Sequence, residues 1–291
     1  MPASPPVAPP VAPGLDLDHL RGWIGRTETA RDLVTARGIR ELRATLDLPP
    51  GDPQPGEAAP VATAHWCLAP PAAPQSALGP DGHPARGGFL PPVPLPRRMW
   101  AGGALEFPDL LRVGDTVERR STITDVTAKE GRTGLLCFVT VAHEIHTPRG
   151  LAVRERQDIV YRGTDAPVGG SGSGAPPPAP SVRESIVPDA VLLFRYSALT
   201  FNGHRIHYDR SYCIEEEGYP GLVVHGPLQA TLLCGFAARL MGRQPARFSF
   251  RSVRPIFDGT PMGLCAVEAE GGFDLWTADA EGRPAMLAEA R

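Results

Sequence analysis

Between Phe194 and Asp209 the chain reads FRYSALTFNGHRIHYD. This sets an amide, Asn202, five positions before an imidazole, His207, with a second imidazole, His204, between them. Eighteen residues past His207, the pair His225-Gly226 opens the apolar run PLQATLLCGFAARLM. An imidazole titrates near neutral pH, an amide can hold a water by donating and accepting, and free N–H groups at a helix start stabilise an oxygen gaining charge. Such parts suit proton transfer beside a polarised carbonyl. Proton transfer beside a carbonyl needs a base, an acid and a donor for the oxygen that gains charge. One imidazole can serve as both base and acid by relaying a proton. His207 is accordingly the expected base and acid, Asn202 the orienter of the water, and Gly226 the N–H donor. The plainer alternative is an Asn-Gly turn, a structural histidine and an ordinary helix start.

The neighbouring residues leave more than one reading. His204 could titrate, hold substrate or cap the turn. Together with Tyr196, in the apolar approach to Asn202, and Arg251, it forms the expected substrate-binding set. Arg247 and Arg251 lie four apart in ARFSFRSVRPIFDG, so they share a strand face. They could meet an acyl carboxylate or phosphates, or simply be solvated, and if a substrate carries a second carboxylate Arg251 is the candidate cation. Asp209 is expected to cap a short helix over 210–217, and His225 to pack or hydrogen-bond. His204-x-x-His207 and His143-x-x-His146 have the spacing of metal ligands. His143 and His146 fall in an alternating strand, which puts them on opposite faces, and no metal is expected.

These residues need elements to hold them. Residues 227–241 are apolar nearly all round, so they should form a buried helix with Pro227 at its first position. Glu28–Leu46 reads as a second helix, with Leu33, Ala36, Ile39, Leu42 and Leu46 on one face and Pro49-Pro50 as its stop. Two similar stretches follow turns at Val113–Asp115 and Phe257–Gly259. Each is an alternating strand, a second strand, a Gly-centred turn and a last strand. That likeness suggests a duplicated unit. Residues 1–14 are a Pro/Ala/Val tail expected to be disordered, and 166–180, APVGGSGSGAPPPAP from Ala166 on, are the expected linker. The units are then 15–165 and 181–291. The periodicities alone support an α+β class.

The segment YSALTFNGHRIHYD resembles a branch of the hot-dog hydratases that holds type 2 hydroxyacyl-thioester dehydratases and the mesaconyl- and itaconyl-CoA hydratases. It departs from the wider hydratase motif, Asp-x-Asn-Pro-x-His, at Asn202, where that motif carries its Asp, and at His204 and Arg205. The resemblance implies a double hot-dog fold, with antiparallel sheets each wrapped around a central helix. It implies a hydro-lyase that adds water reversibly to a 2-enoyl thioester, with the second unit catalytic and loops 69–105 of the first, including RRMWAGG (Arg97–Gly103), lining the acyl or pantetheine pocket. It places the oxyanion donor at Gly226. No cofactor is expected beyond coenzyme A as part of an acyl-CoA substrate, and paired hot-dog sheets make a homodimer the expected assembly. The alternatives are a dehydratase acting on 3-hydroxyacyl groups of acyl carrier protein, a non-catalytic acyl-thioester-binding protein, and, more distantly, a thioesterase.

Bulk composition narrows the classes. The 291 residues carry a net charge of −3, with no basic footprint for nucleic acid or an anionic membrane. Lys129 is the only lysine, so lysine-based covalent chemistry has one candidate. The five cysteines are scattered without a C-x-x-C pair, which argues for reduced thiols. No run approaches the roughly 20 apolar residues of a membrane span, and the N-terminus lacks the charged and apolar regions of a secretory signal. A cytoplasmic location is the expectation.

Overall fold

The computed structural model describes residues 15–131, 134–163 and 177–291. The expected tail, 1–14, and most of the expected linker, 166–176, lie outside them. In chain order the helices are α1 (Leu17–Arg21), α2 (Ala36–Thr45), α3 (Ala190–Leu199), α4 (Arg210–Glu215) and α5 (Gly226–Met241). The strands are β1 (Thr27–Leu33), β2 (Arg97–Glu106), β3 (Thr116–Gly131), β4 (Gly134–Thr147), β5 (Gly150–Arg162), β6 (Val182–Ile186), β7 (Arg247–Ser252), β8 (Met262–Ala269), β9 (Gly272–Ala278) and β10 (Pro284–Ala290).

All ten strands join one antiparallel sheet in the order β1-β3-β4-β5-β2-β7-β10-β9-β8-β6. From either edge inward the sequence is the same: a short edge strand, three consecutive strands of a meander, then the strand that meets the other unit. The duplication read from the two strand patterns is thus a repeated topology. The units join where β2 pairs with β7, from Gly102 opposite Arg251 to Glu106 opposite Arg247. Glycine is needed at that seam. A Cβ on Gly102 would come within 2.5 Å of Phe250 O, and one on Gly103 within 2.7 Å of Arg156 O.

Helix α5 is the centre of the second unit, packed against β7 to β10. Leu228, Ala230, Leu233, Cys234, Phe236 and Ala237 are all sealed from solvent, as expected of a helix apolar on every side. Pro227 sits in its first turn and Gly242, at φ 67°, ends it in the left-handed conformation. Among the described residues the first unit has no helix of this length. There, α2 lies against α3, and a 3-10 helix over Ala62–Cys67 touches α5.

Two local expectations change. The helix expected over Glu28–Leu46 starts only at Ala36, with Thr35 Oγ1 accepting from Gly38 N–H at 2.9 Å. Residues 27–33, TETARDL, form edge strand β1 on β3 instead, with partly buried and exposed side chains alternating. Pairing with a neighbouring strand overrides the weak helical pattern there. RRMWAGG, expected as a pocket-lining loop, is the start of β2, paired with β5 and β7.

Candidate active site

His207 closes a short 3-10 turn, Arg205–His207, that follows α3. It is 7 % exposed, and its Nδ1 lies 2.7 Å from Val223 O. A carbonyl only accepts, so Nδ1 carries the proton and Nε2 keeps its lone pair. Nε2 has no hydrogen-bond partner among the described residues. Burial pulls the imidazole down to about 4, against the Val223 bond, which favours the charged form. His207 is therefore neutral across the physiological range.

The ring stacks on His225 with centroids 3.7 Å apart and planes 17° from parallel. His225 is wholly buried, and its Nε2 meets Ser197 Oγ at 2.8 Å. Burial, together with His207 and His204, holds it well below the usual imidazole range. It is also the residue before Gly226, so the stack fixes His207 against the first turn of α5. A Cβ on Gly226 would lie 3.7 Å from Ser252 Oγ and 3.9 Å from Trp100 O. The packing and hydrogen-bonding role expected of His225 is the one it has.

Asn202 and His204 share one turn. Asn202 N–H donates to Ser197 O at 2.8 Å, and its Oδ1 accepts from His204 N–H at 3.0 Å. Phe201 before it takes φ 49°, a left-handed residue that swings the chain out of α3 toward the turn. The His204 ring stands 5.4 Å from His207, nearly perpendicular. Asp209 caps α4 as expected, its Oδ1 accepting from Tyr212 N–H at 3.1 Å, and its Oδ2 pairs with Arg205.

The remaining expected substrate contacts sit elsewhere. Tyr196 is 1 % exposed; its hydroxyl lies 3.3 Å from Thr231 Oγ1 and its ring meets His225 edge-on. It backs the site from within the core. Arg251 is exposed on β7, while its neighbours Phe250 and Ser252 turn toward the α5 side. Strand alternation therefore places it on the face away from Gly226. It does not join the cluster, and the expectation that it serves the acyl carboxylate is not carried by its position. His143 bonds Ser121 and Gln157, whereas His146 is exposed beside Glu144.

One group escaped the sequence reading. The loop Gln75–Arg86 folds back on itself and brings Asp81 and His83 from the first unit onto the turn at Asn202. Asp81 Oδ2 accepts from His83 Nδ1 at 2.9 Å, and the His83 ring lies 4.1 Å from that of His204. The signal available was Pro80-Asp81-Gly82-His83-Pro84, a turn carrying an acid and an imidazole two apart.

Comparison with known proteins agrees with this architecture. The sequence model for hydroxyacyl-thioester dehydratase type 2 matches residues 63–258. The chain belongs to that family. It is 46 % identical to the mesaconyl-C(4)-CoA hydratase of Chloroflexus aurantiacus over 91 % of this chain and 95 % of that protein. It is 35 % identical over 36 % of each chain to the mitochondrial hydroxyacyl-thioester dehydratase type 2 of Schizosaccharomyces pombe. Among solved structures, HtdX of Mycobacterium tuberculosis superposes with a TM-score of 0.63 at 20 % identity, over 90 % of this chain and 98 % of that one. A second M. tuberculosis protein, described as a double hot dog, superposes at 0.58 and 13 % identity over 92 % and 96 %. The fold is the α+β double hot dog, and the protein is a hydro-lyase of the acyl-CoA hydratase/dehydratase kind. No helix among the described residues is long and apolar enough to cross a membrane.

Proposed function

We propose that this enzyme hydrates a branched five-carbon dicarboxylyl thioester of coenzyme A, of the mesaconyl-C4 or itaconyl type, to citramalyl-CoA. The 46 % identity to a mesaconyl-C(4)-CoA hydratase, spread over nearly the whole of both chains, supports the substrate class. For the chemistry, the observation that carries the reading is the tautomer of His207. Val223 O takes its Nδ1–H, which leaves an Nε2 lone pair beside the start of α5.

As the water oxygen bonds to the β-carbon, His207 Nε2 takes one water proton. The electron pair of the double bond moves through the carbonyl onto the thioester oxygen, where the Gly226 N–H would meet it. When the pair returns, the α-carbon takes the proton back from Nε2. An imidazole held near pKa 4 is always ready to accept, and its imidazolium is acidic enough to protonate carbon. The Asn202 Oδ1 already accepts from His204 N–H, so its NH2 is the end that would orient water. Each N–H donor to the developing oxyanion is worth about 3–4 kcal/mol. Coenzyme A is the carrier in this reading, no further cofactor takes part, and a homodimer is the assembly.

Loss of enoyl-thioester absorbance with mesaconyl-C4-CoA, itaconyl-CoA and crotonyl-CoA tests it. Wild type should turn over a dicarboxylyl substrate fastest, and His207→Ala should lower kcat about 10²- to 10⁴-fold. Preference for crotonyl-CoA would overturn the substrate class, and an active His207→Ala would overturn the role of His207.

A further inference from the structure

The catalytic turn of the second unit lacks a carboxylate at Asn202, yet a carboxylate is held against it by the first unit. Backbone bonds fix the docking. Arg205 N–H donates to Asp81 O at 2.9 Å, and Arg205 Nη1 donates to Pro80 O at 3.0 Å. The loop is closed on itself by Gly79 N–H to His83 O at 2.7 Å and Ala85 N–H to Ala77 O at 2.9 Å. At the contact the two chains nearly touch: a Cβ on Gly82 would fall 1.9 Å from Gly203 O. Gly82 also takes φ 85°, so both sterics and conformation call for glycine there. The result is a fixed placement of the Asp81–His83 pair, with the His83 ring 4.1 Å from that of His204, which itself lies 5.4 Å from that of His207.

The pair has the makings of an oriented base. Burial would raise the Asp81 carboxyl, but the hydrogen bonds from the His83 ring and backbone N–H hold it well below the usual range, so it is ionised. It accepts from His83 Nδ1, which leaves His83 Nε2 with a lone pair and no partner among the described residues. Burial, with Arg98 and Arg86 close by, keeps His83 neutral at rest despite Asp81. Asp81, His83 and His204 could bring one ligand atom each within 4.8 Å of one another, close enough to consider a divalent cation. His83 Nδ1 is engaged by Asp81, however, and the Arg98 charge bears on both imidazoles. That environment suits a neutral, polar occupant better than a cation.

We propose that Asp81 and His83 stand in for the carboxylate that Asn202 cannot supply, with His83 Nε2 accepting the second O–H of the water that His207 deprotonates. In the step written above, His207 Nε2 takes one proton and returns it to the α-carbon. His83 keeps the other O–H pointed away from the β-carbon, so an oxygen lone pair faces the double bond, and Asp81 holds the His83 tautomer. No proton is gained or lost by His83. The site is thus built from both units, and this rests on the hydration chemistry assigned to His207 above.

The test is kcat and KM for Asp81→Asn, His83→Ala, the double variant, and His83→Ala combined with Asn202→Asp. Whichever of the three thioesters wild type hydrates fastest serves as substrate, so an error in substrate class leaves the test standing. Expected are a loss of kcat of about 10²-fold in each single variant with KM within threefold, and no further loss in the double variant. Asn202→Asp should restore kcat at least tenfold in the His83→Ala background, which a merely structural loop would not allow. Wild-type kcat in His83→Ala, a loss that Asn202→Asp does not relieve, or activity abolished by a chelator and restored by zinc would each overturn the proposal.

Discussion

The two units share a strand order but differ in what meets their buried imidazoles: a carboxylate in the first, a carbonyl and a hydroxyl in the second. In the first, His65 Nε2 meets Glu155 Oε2 at 2.9 Å and Trp66 Nε1 donates to Glu155 Oε1 at 3.0 Å, all beneath β5. Burial would raise Glu155, but His65, His143 and Trp66 hold its carboxyl below the usual range. Both carboxylate oxygens are met inside the core. In the second unit, no carboxylate among the described residues bonds His207 or His225, and His207 Nε2 has no partner among them. A buried carboxylate with both oxygens met adds rigidity, whereas an imidazole with an open lone pair at the start of a helix can do chemistry. Duplication gave two equivalent frames, and the distribution of partners makes one a support and the other a site.

Removing the acid of the first unit should therefore cost stability and leave chemistry alone. Glu155→Ala leaves His65 and Trp66 without their acceptor and should lower the free energy of unfolding by about 4 kcal/mol, measured by urea titration. The folded fraction should keep its kcat. A kcat loss as deep as that of His207→Ala would erase the contrast between the units.

Acid should separate the units in a second way. His207 is neutral in the fold, with a value of about 4 against 6.5 for the free side chain. The unfolded chain thus binds the extra proton first. The stability is complete above about pH 6.5 and is lost as pH falls toward 4, by about 3 kcal/mol from His207 alone. Glu155 has a depressed value, so its contribution is present above the ordinary carboxyl range and is lost only below it. Urea unfolding between pH 7 and 4 should show the first loss, and His207→Gln should flatten it. An unchanged slope in that variant would place the acid sensitivity elsewhere.

The smallest effect concerns the strap beneath the site. Asp209→Ala removes the α4 cap and the partner of Arg205 and should cost about 1 kcal/mol. Because Arg205 also holds the Asp81 loop, kcat should fall several-fold more than a surface cap in the first unit would cause, for example Thr35→Ala on α2. Equal, negligible effects of the two on kcat would show that the loop docks without Arg205.

Local order in the chain was enough to determine several features. The unbroken apolarity of 227–241 leaves no face for water, so a buried α5 follows. Period-two alternation and paired turns give the two meanders, and a carboxylate just before Arg210 gives the cap. The spacing from Asn202 to His207 puts the amide and the imidazole on consecutive turns. By contrast, 27–33 carried a helical pattern that lost to ladder bonds with β3, because edge pairing is a long-range term that no window of sequence contains. The position of Arg251 on the outer face was implicit in the alternation of β7, but which face met α5 was not.

Tertiary structure alone decided the composition of the site. His207 is drawn to Val223 and His225, sixteen and eighteen residues away, and only that contact fixes its tautomer and desolvates it. Asp81 and His83 arrive from more than a hundred residues upstream, from another unit, through a glycine-to-glycine contact. Sequence fixes which groups can titrate. Which of them share a low-dielectric space, and so which proton is held and which is free to move, depends on burial and neighbours that exist only once the sheet is closed.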